Sequence, residues 1–459
     1  MSESAPHNPE AYPEERLLCS DAMTTSASVH DPSAQYPELA RTHGALNTQR
    51  FLHNGDKQSW EELTALQTGS QRLSPPTYYE LNQLSHEAMP TQASYVAMEY
   101  INTIHDACKN PVIMQALGLQ PGEDSHDEGL RRLFFPEHEA ARSLYLPSYD
   151  GFDESQQELI HGVLTANFNF IRFVQSQASE EEIQSLSTMP RHILLAAIIH
   201  GIHDLGGAMG HKNEHASLTL DEPAAVRLLD AAYALTKTAA ELALPEDTPI
   251  TPPVQQAAYI RLRMARLGIA PTDDSWASHA ELLTKVTVAD LLRSYAADDF
   301  ATPQAAFNRL HPVQKIAWSN IHMLPLYVPD SSERFKGQGT EYAPAFLRAL
   351  GKDEESLYVA LSYFAQIHSI TNALTILESP PDTAGFPVES PYTIVNFYPL
   401  ANWFADNAAA VKAARSVVVA LTTNGNTITL HPALEGNSAA WPYRHQLIHP
   451  DEYFRDGTI

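Results

Sequence analysis

The stretch MPRHILLAAIIHGIHDLGG, residues 189–207, decides the fold of this chain. After Pro190 it reads as a long apolar helix with a buried end, closed by Gly206 and Gly207, which stop the helix and permit close approach of another backbone. It falls well short of the roughly 20 apolar residues that span a bilayer. A buried helix end carrying His203 beside Asp204 needs compensation for its polar groups.

Outward from this helix, apolar residues recur at helical spacing from about 76 to 330, as in ELIHGVLTANFNFIRFV and AELLTKVTVADLLRSY, with no convincing strand between them. Helix starts are predicted at Ser59 with Glu62, Thr77 with Glu80 and Ser179 with Glu182, each at capping-box spacing, and at Thr302-Pro303. After about 380 the segments YTIVNFYPL, SVVVALTT and TITLHP are rich in β-branched residues, and Asn424-Gly425 predicts a hairpin turn. Residues 1–45, rich in Ser, Pro, Ala, Glu and His, read as a flexible tail, 46–330 as a helical domain, and 331–459 as an accessory region with a β-hairpin.

Composition narrows the function. The chain has 29 Lys and Arg against 55 Asp and Glu, a net charge of −26, and a mean hydropathy of −0.26. Such an excess repels polyanions, so no nucleic acid polymer is expected as partner, and no membrane span or signal peptide is indicated. With 2 Cys there is no disulfide framework, which predicts a reducing, cytoplasmic location.

The 21 histidines include four His-Asp dipeptides, at His30, His105, His126 and His203, where about one is expected by chance. Only His203-Asp204 ends a long apolar helix and runs into a glycine pair. The string AAIIHGIHDLGGAMGHKNEH resembles the metal-binding core of the HD superfamily of metal-dependent phosphohydrolases, whose pattern is a His, a later His-Asp pair and a distant Asp. The resemblance implies a mainly α fold, an HD-type helical bundle with a small C-terminal α/β or β-hairpin appendage. It makes His203, Asp204 and Asp290, the last in KVTVADLLRSY, metal ligands, with His161 as the first ligand and His138 as its alternative.

Among branches, the deoxynucleoside triphosphate triphosphohydrolases are the most similar: Gly210-His211 and Glu214 follow the His-Asp pair in their order, although the loop is one residue shorter and lacks their Pro-Phe. The resemblance implies a catalytic pair, His211 oriented by Glu214 for general acid/base work. A mixed imidazole and carboxylate set suits a divalent ion such as Mn, Fe or Mg, which would activate water and offset the charge of a small phosphorylated substrate. A di-iron oxygenase on the same scaffold, and a metal-free binding or effector protein on a degenerate bundle, are the alternatives. Homo-oligomerisation stays open. Cys108 near His105 reads as packing, and HPALEGN at 431–437 has the spacing of Fic-type AMP-transferases without their following Gly-Arg or preceding helix.

Overall fold

The computed structural model describes residues 12, 14, 17–18, 37–121, 126–166, 168–175, 177–178, 182, 185–186, 189–242, 297–323, 338–376, 393–424, 427–432 and 443–452. The chain forms two compact units, Met1–Ile171 with Thr188–Lys237, and Arg172–Ser187 with Thr238–Ile459. The first is helical among the described residues, and the second joins helices to a five-stranded mixed sheet near the C-terminus. Among the described residues no helix is long and apolar enough to cross a membrane.

The helical unit is built on α1 (Pro37–Asn54), α2 (Pro75–Ala88), α3 (Gln92–Ile104), α4 (Glu154–Thr165) and α5 (Arg191–Gly207). Helix α5 buries every residue from Ile193 to Ile199, the mark of a central helix. Burying each of its large aliphatic side chains stabilises the unit by about 1.5–3 kcal/mol. Its closest neighbour is α1, and small residues make that approach possible: a Cβ on Gly207 would overlap the Arg41 carbonyl and the Ala45 amide, and one on Gly210 the Ala40 carbonyl.

The helix starts lie three residues upstream of two predicted positions. Helix Lys57–Leu63 is capped by Asp56, whose carboxylate accepts from Ser59 N, and α2 by Ser74, with Pro75 and Pro76 opening the helix. Ser59 and Thr77 are therefore third helical residues, because a side chain further upstream reaches their amides first. The Glu222 carboxylate reinforces the α2 start by accepting from Ser74 N at 2.7 Å and Thr77 Oγ1 at 2.7 Å. Capping boxes missed in the sequence open α3 (Thr91, Ser94) and α4 (Asp153, Gln156). Thr302-Pro303 lies inside the helix Ala297–Arg309, and Ser179 is outside the described residues.

Both domain boundaries move. Helix α1 begins at Pro37, inside the segment read as tail, and Glu14 is buried, accepting from Ser148 N and Oγ at 2.8 and 2.9 Å and from Tyr100 OH at 3.2 Å. The expected boundary at 330 falls near 237 instead, since helices α6 (Ala297–Arg309) and α7 (Pro312–Met323) pack in the second unit. Trp318 of α7 explains this: it stacks on Phe364 of the helix α8 (Glu354–Ile376) at 4.5 Å and donates Nε1–H to the Leu361 carbonyl.

In that unit β1 (Gln338–Glu341), β2 (Thr393–Asn396), β3 (Ser416–Asn424), β4 (Thr427–Pro432) and β5 (Tyr443–Ile448) form a sheet of order β1-β2-β4-β3-β5. Strands β1, β2 and β4 are mutually parallel, while β3 runs antiparallel to β4 and β5. Val417, Val419 and Leu421 alternate into the core, as a strand packed on one face requires. The predicted hairpin forms, with Asn424 opposite Thr427 and two residues between them. Strand β1, QGTE, carries no β-branched run and escaped the sequence reading.

Candidate functional site

Three helix ends supply the polar groups of the helical unit. Helix α3 ends at His105, followed by Asp106 and Lys109; α5 carries His200, His203 and Asp204 in its last two turns; the short helix His126–Leu133 starts with His126 and Asp127. His200 and Asp204, four residues apart, share one face of α5. His203 points about 100° away from Asp204 and is fully buried.

His105 Nε2 lies 3.3 Å from Asp204 Oδ1 and 3.5 Å from Asp106 Oδ2. Burial alone would lower its pKa, but the Asp106 and Asp204 carboxylates outweigh burial and push it up to about 9. Its Nε2 is enclosed yet aligned with neither carboxylate well enough for a hydrogen bond. Asp106 is itself buried; His105, Lys109 and His126 overcome that burial and hold its carboxyl far below the usual range. Lys109 Nζ bridges Asp106 at 2.8 Å and Glu38 of α1 at 2.6 Å, while His126 Nε2 stands 3.7 Å from Asp106 and 3.3 Å from Asp127.

The neighbouring imidazole behaves oppositely. His200, with its ring 5.2 Å from that of His105, has its pKa lowered to about 4 by burial and then by the His105 charge. Two rings in contact are thus biased apart, one toward the cation and one toward the neutral base, the pattern of an acid/base site. Both are anchored by Asn102 of α3: its carbonyl oxygen accepts from His105 Nδ1 at 2.8 Å, and its side-chain Oδ1 accepts from His200 Nδ1 at 2.8 Å.

The residues expected from the sequence are distributed differently. Asp204 joins this cluster, with 52% of its side chain exposed, but His203 turns into the core, where Asn102 Nδ2 donates to its Nδ1 at 3.1 Å. The two are not paired toward one point, because successive helical residues diverge. His161 is exposed on α4, set edge-on to Phe134 at 6.0 Å, and His138 ends the 3-10 turn Pro136–His138; neither reaches the cluster. Asp290 lies outside the described residues. Residues after α5 form turns, not a helix, so Glu214 faces His43 Nδ1 at 3.3 Å and not His211, whose pKa is lowered by burial and then by Arg41 and Lys212. The expected His211–Glu214 dyad is not formed.

What the sequence reading missed is that His105-Asp106 and His126-Asp127, set aside as chance dipeptides, converge with Asp204. A usable signal was Asn102, an amide in the largely apolar YVAMEYINTI, where it is buried. Cys108 is packed, with burial pushing its thiol up to about 12.

Among the described residues no group of three or more His, Cys, Asp or Glu side chains is closed around a point where an ion could sit. The chemistry of the donors nevertheless suits a divalent ion: two imidazoles have Nδ1 engaged and Nε2 left for a ligand, and the enclosed His105 Nε2 lies 3.3 Å from Asp204 Oδ1 and 3.5 Å from Asp106 Oδ2 without a hydrogen bond to either. Residues 7–245 match the model of a family of unknown function, DUF6829, which spans this unit and more than half of the chain. No curated protein and no solved structure matches.

Proposed function

The chain thus belongs to that family of unknown function, which assigns it no activity, and we propose that its helical unit is a metal-dependent phosphohydrolase of the HD type acting on a nucleotide or similar small phosphorylated molecule. The observation that carries this reading is the double use of Asn102, which occupies the Nδ1 edges of His105 and His200 and leaves the Nε2 atom of each for a ligand, that of His105 3.3 Å from Asp204 Oδ1.

In this reading His105, His200 and Asp204 would hold the ion, Mn, Fe or Mg, in place of the set His161, His203, Asp204 and Asp290 first expected. When bound, the ion supplies an activated water and offsets charge on phosphorus. The chain's own residues do the rest. Lys109 neutralises Asp106, while half-exposed His126, its Nε2 between Asp106 and Asp127, is the side chain placed to meet a leaving oxygen. The paucity of cysteine and the absence of a membrane-crossing helix among the described residues support a cytoplasmic setting.

Metal analysis of the purified full chain, paired with phosphate release from deoxynucleoside triphosphates in Mn, tests the proposal. Mn-dependent release that disappears in Asp204→Asn is expected. Two Fe per chain with oxygen uptake would assign a di-iron oxygenase instead, and failure to take up Mn, Fe or Mg would sink the enzyme reading in favour of a binding protein.

A further inference from the structure

We propose that Asn102 is a positioning residue that locks His200 in one tautomer, with its polarity dictated by the main-chain carbonyl of Tyr95. The locking itself is read from the hydrogen bonds; its value to catalysis rests on the proposed metal site. Gln49, Asn102 and His203 are all fully buried, so no solvent can reverse any bond in the chain that joins them.

The polarity runs outward from a group with no choice. A carbonyl oxygen only accepts, so the Gln49 amide must present Nε2 to Tyr95 O, at 3.0 Å. Its Oε1 then accepts from Asn102 Nδ2 at 2.8 Å. The second Nδ2 proton of Asn102 goes to His203 Nδ1 at 3.1 Å, which must be bare. Asn102 Oδ1 is left to face His200 Nδ1 at 2.8 Å, which must therefore carry a proton. Turning the Asn102 amide over would set its oxygen against Gln49 Oε1, a clash of two acceptors that no choice of histidine tautomer relieves.

In its neutral form His200 therefore keeps its lone pair on Nε2, the atom free to take a ligand, and His203 is the opposite tautomer. The cost is visible: His203 Nε2 carries its proton into the core with no hydrogen-bond partner among the described residues. A hydrophobic side chain at this position would avoid that penalty, but it would leave the second Nδ2 proton of Asn102 without the acceptor that His203 offers.

Long-range proton–nitrogen spectra of the metal-free, histidine-labelled full chain at neutral pH read the tautomers directly. His200 protonated at Nδ1 and His203 protonated at Nε2 are expected, and His200 protonated at Nε2 would overturn the proposal. Asn102→Asp, which keeps an acceptor for His200 Nδ1, should preserve the His200 tautomer while changing the His203 signals. Asn102→Leu should release the His200 tautomer and weaken Mn binding by about 10- to 100-fold. If Asn102→Leu left both unchanged, the proposal would fall; if that variant does not fold, the wild-type spectrum and Asn102→Asp decide. A wild-type protein that binds no Mn would remove the proposed function, while the spectra would still decide the locking.

Discussion

His105 Nε2 stands 3.3 Å from Asp204 Oδ1, tying the C-terminal end of α3 to the last turn of α5. Their meeting turns two helix ends into one polar cluster, and it leaves His203, one residue away, pointing about 100° from Asp204 into the core.

This geometry separates the two halves of the His203-Asp204 pair. If Asp204 and His200 hold an ion, Mn at about 100 times its dissociation constant should stabilise the chain by about 2.7 kcal/mol through mass action. Thermal melts should show that gain vanish in Asp204→Asn and His200→Ala. His203→Ala should melt lower in the absence of metal and still gain from Mn.

Lys109 is the cation that accompanies Asp106 into the core. Replacing it by Met strands the Asp106 carboxylate, only 5% exposed, and should cost about 3 kcal/mol, the scale on which half a buried pair is lost. Adding Asp106→Asn to Lys109→Met should recover part of the loss in urea unfolding, whereas a surface pair would show no such recovery.

Glycine at the α1–α5 contact is a steric requirement. Gly207→Ala drives a Cβ into the Arg41 carbonyl and should destabilise by about 3 kcal/mol, the upper end of overpacking costs. Gly151→Ala, with nothing within 4 Å of the new Cβ, should stay within about 0.5 kcal/mol of wild type. Equal losses at the two positions would contradict the packing described.

Acid should weaken both units for the same reason. Burial, then neighbouring His86, lowers the His53 pKa to about 4, and burial lowers that of His368 to about 3. Folded values below the unfolded value of about 6.5 mean that the unfolded chain binds more protons. The stability these groups contribute is complete above about pH 6.5 and is lost as pH falls through the folded values. For the buried His368 this is on the order of 4 kcal/mol at about 1.36 kcal/mol per unit, and for the half-exposed His53 it is less, because solvent screens that site. Denaturant melts of metal-free protein between pH 7 and 4 should show this fall, and His368→Phe should flatten it for the second unit.

The helical core and the hairpin were legible because both rest on local periodicity. A run with no polar face had to be central, and β-branched segments around Asn424-Gly425 had one economical pairing. Domain boundaries were less legible, since Trp318 and the helices around it have the same apolar spacing whichever unit they join. The helix starts slipped by three residues because Ser and Thr serve equally as a cap and as a third helical residue, and only the upstream Asp56 or Ser74 distinguishes the two.

For the site, the amino-acid order alone determined that His203 and Asp204 end a buried helix. It could not determine which imidazole meets which carboxylate. Adjacent residues on a helix point about 100° apart, so the dipeptide itself says nothing about a shared target. Tertiary packing decided it: glycines at 206, 207 and 210 let α5 lie on the backbone of α1, α3 fitted beside them, and Asn102 could then reach His200 with its side chain while its carbonyl oriented His105 against Asp204.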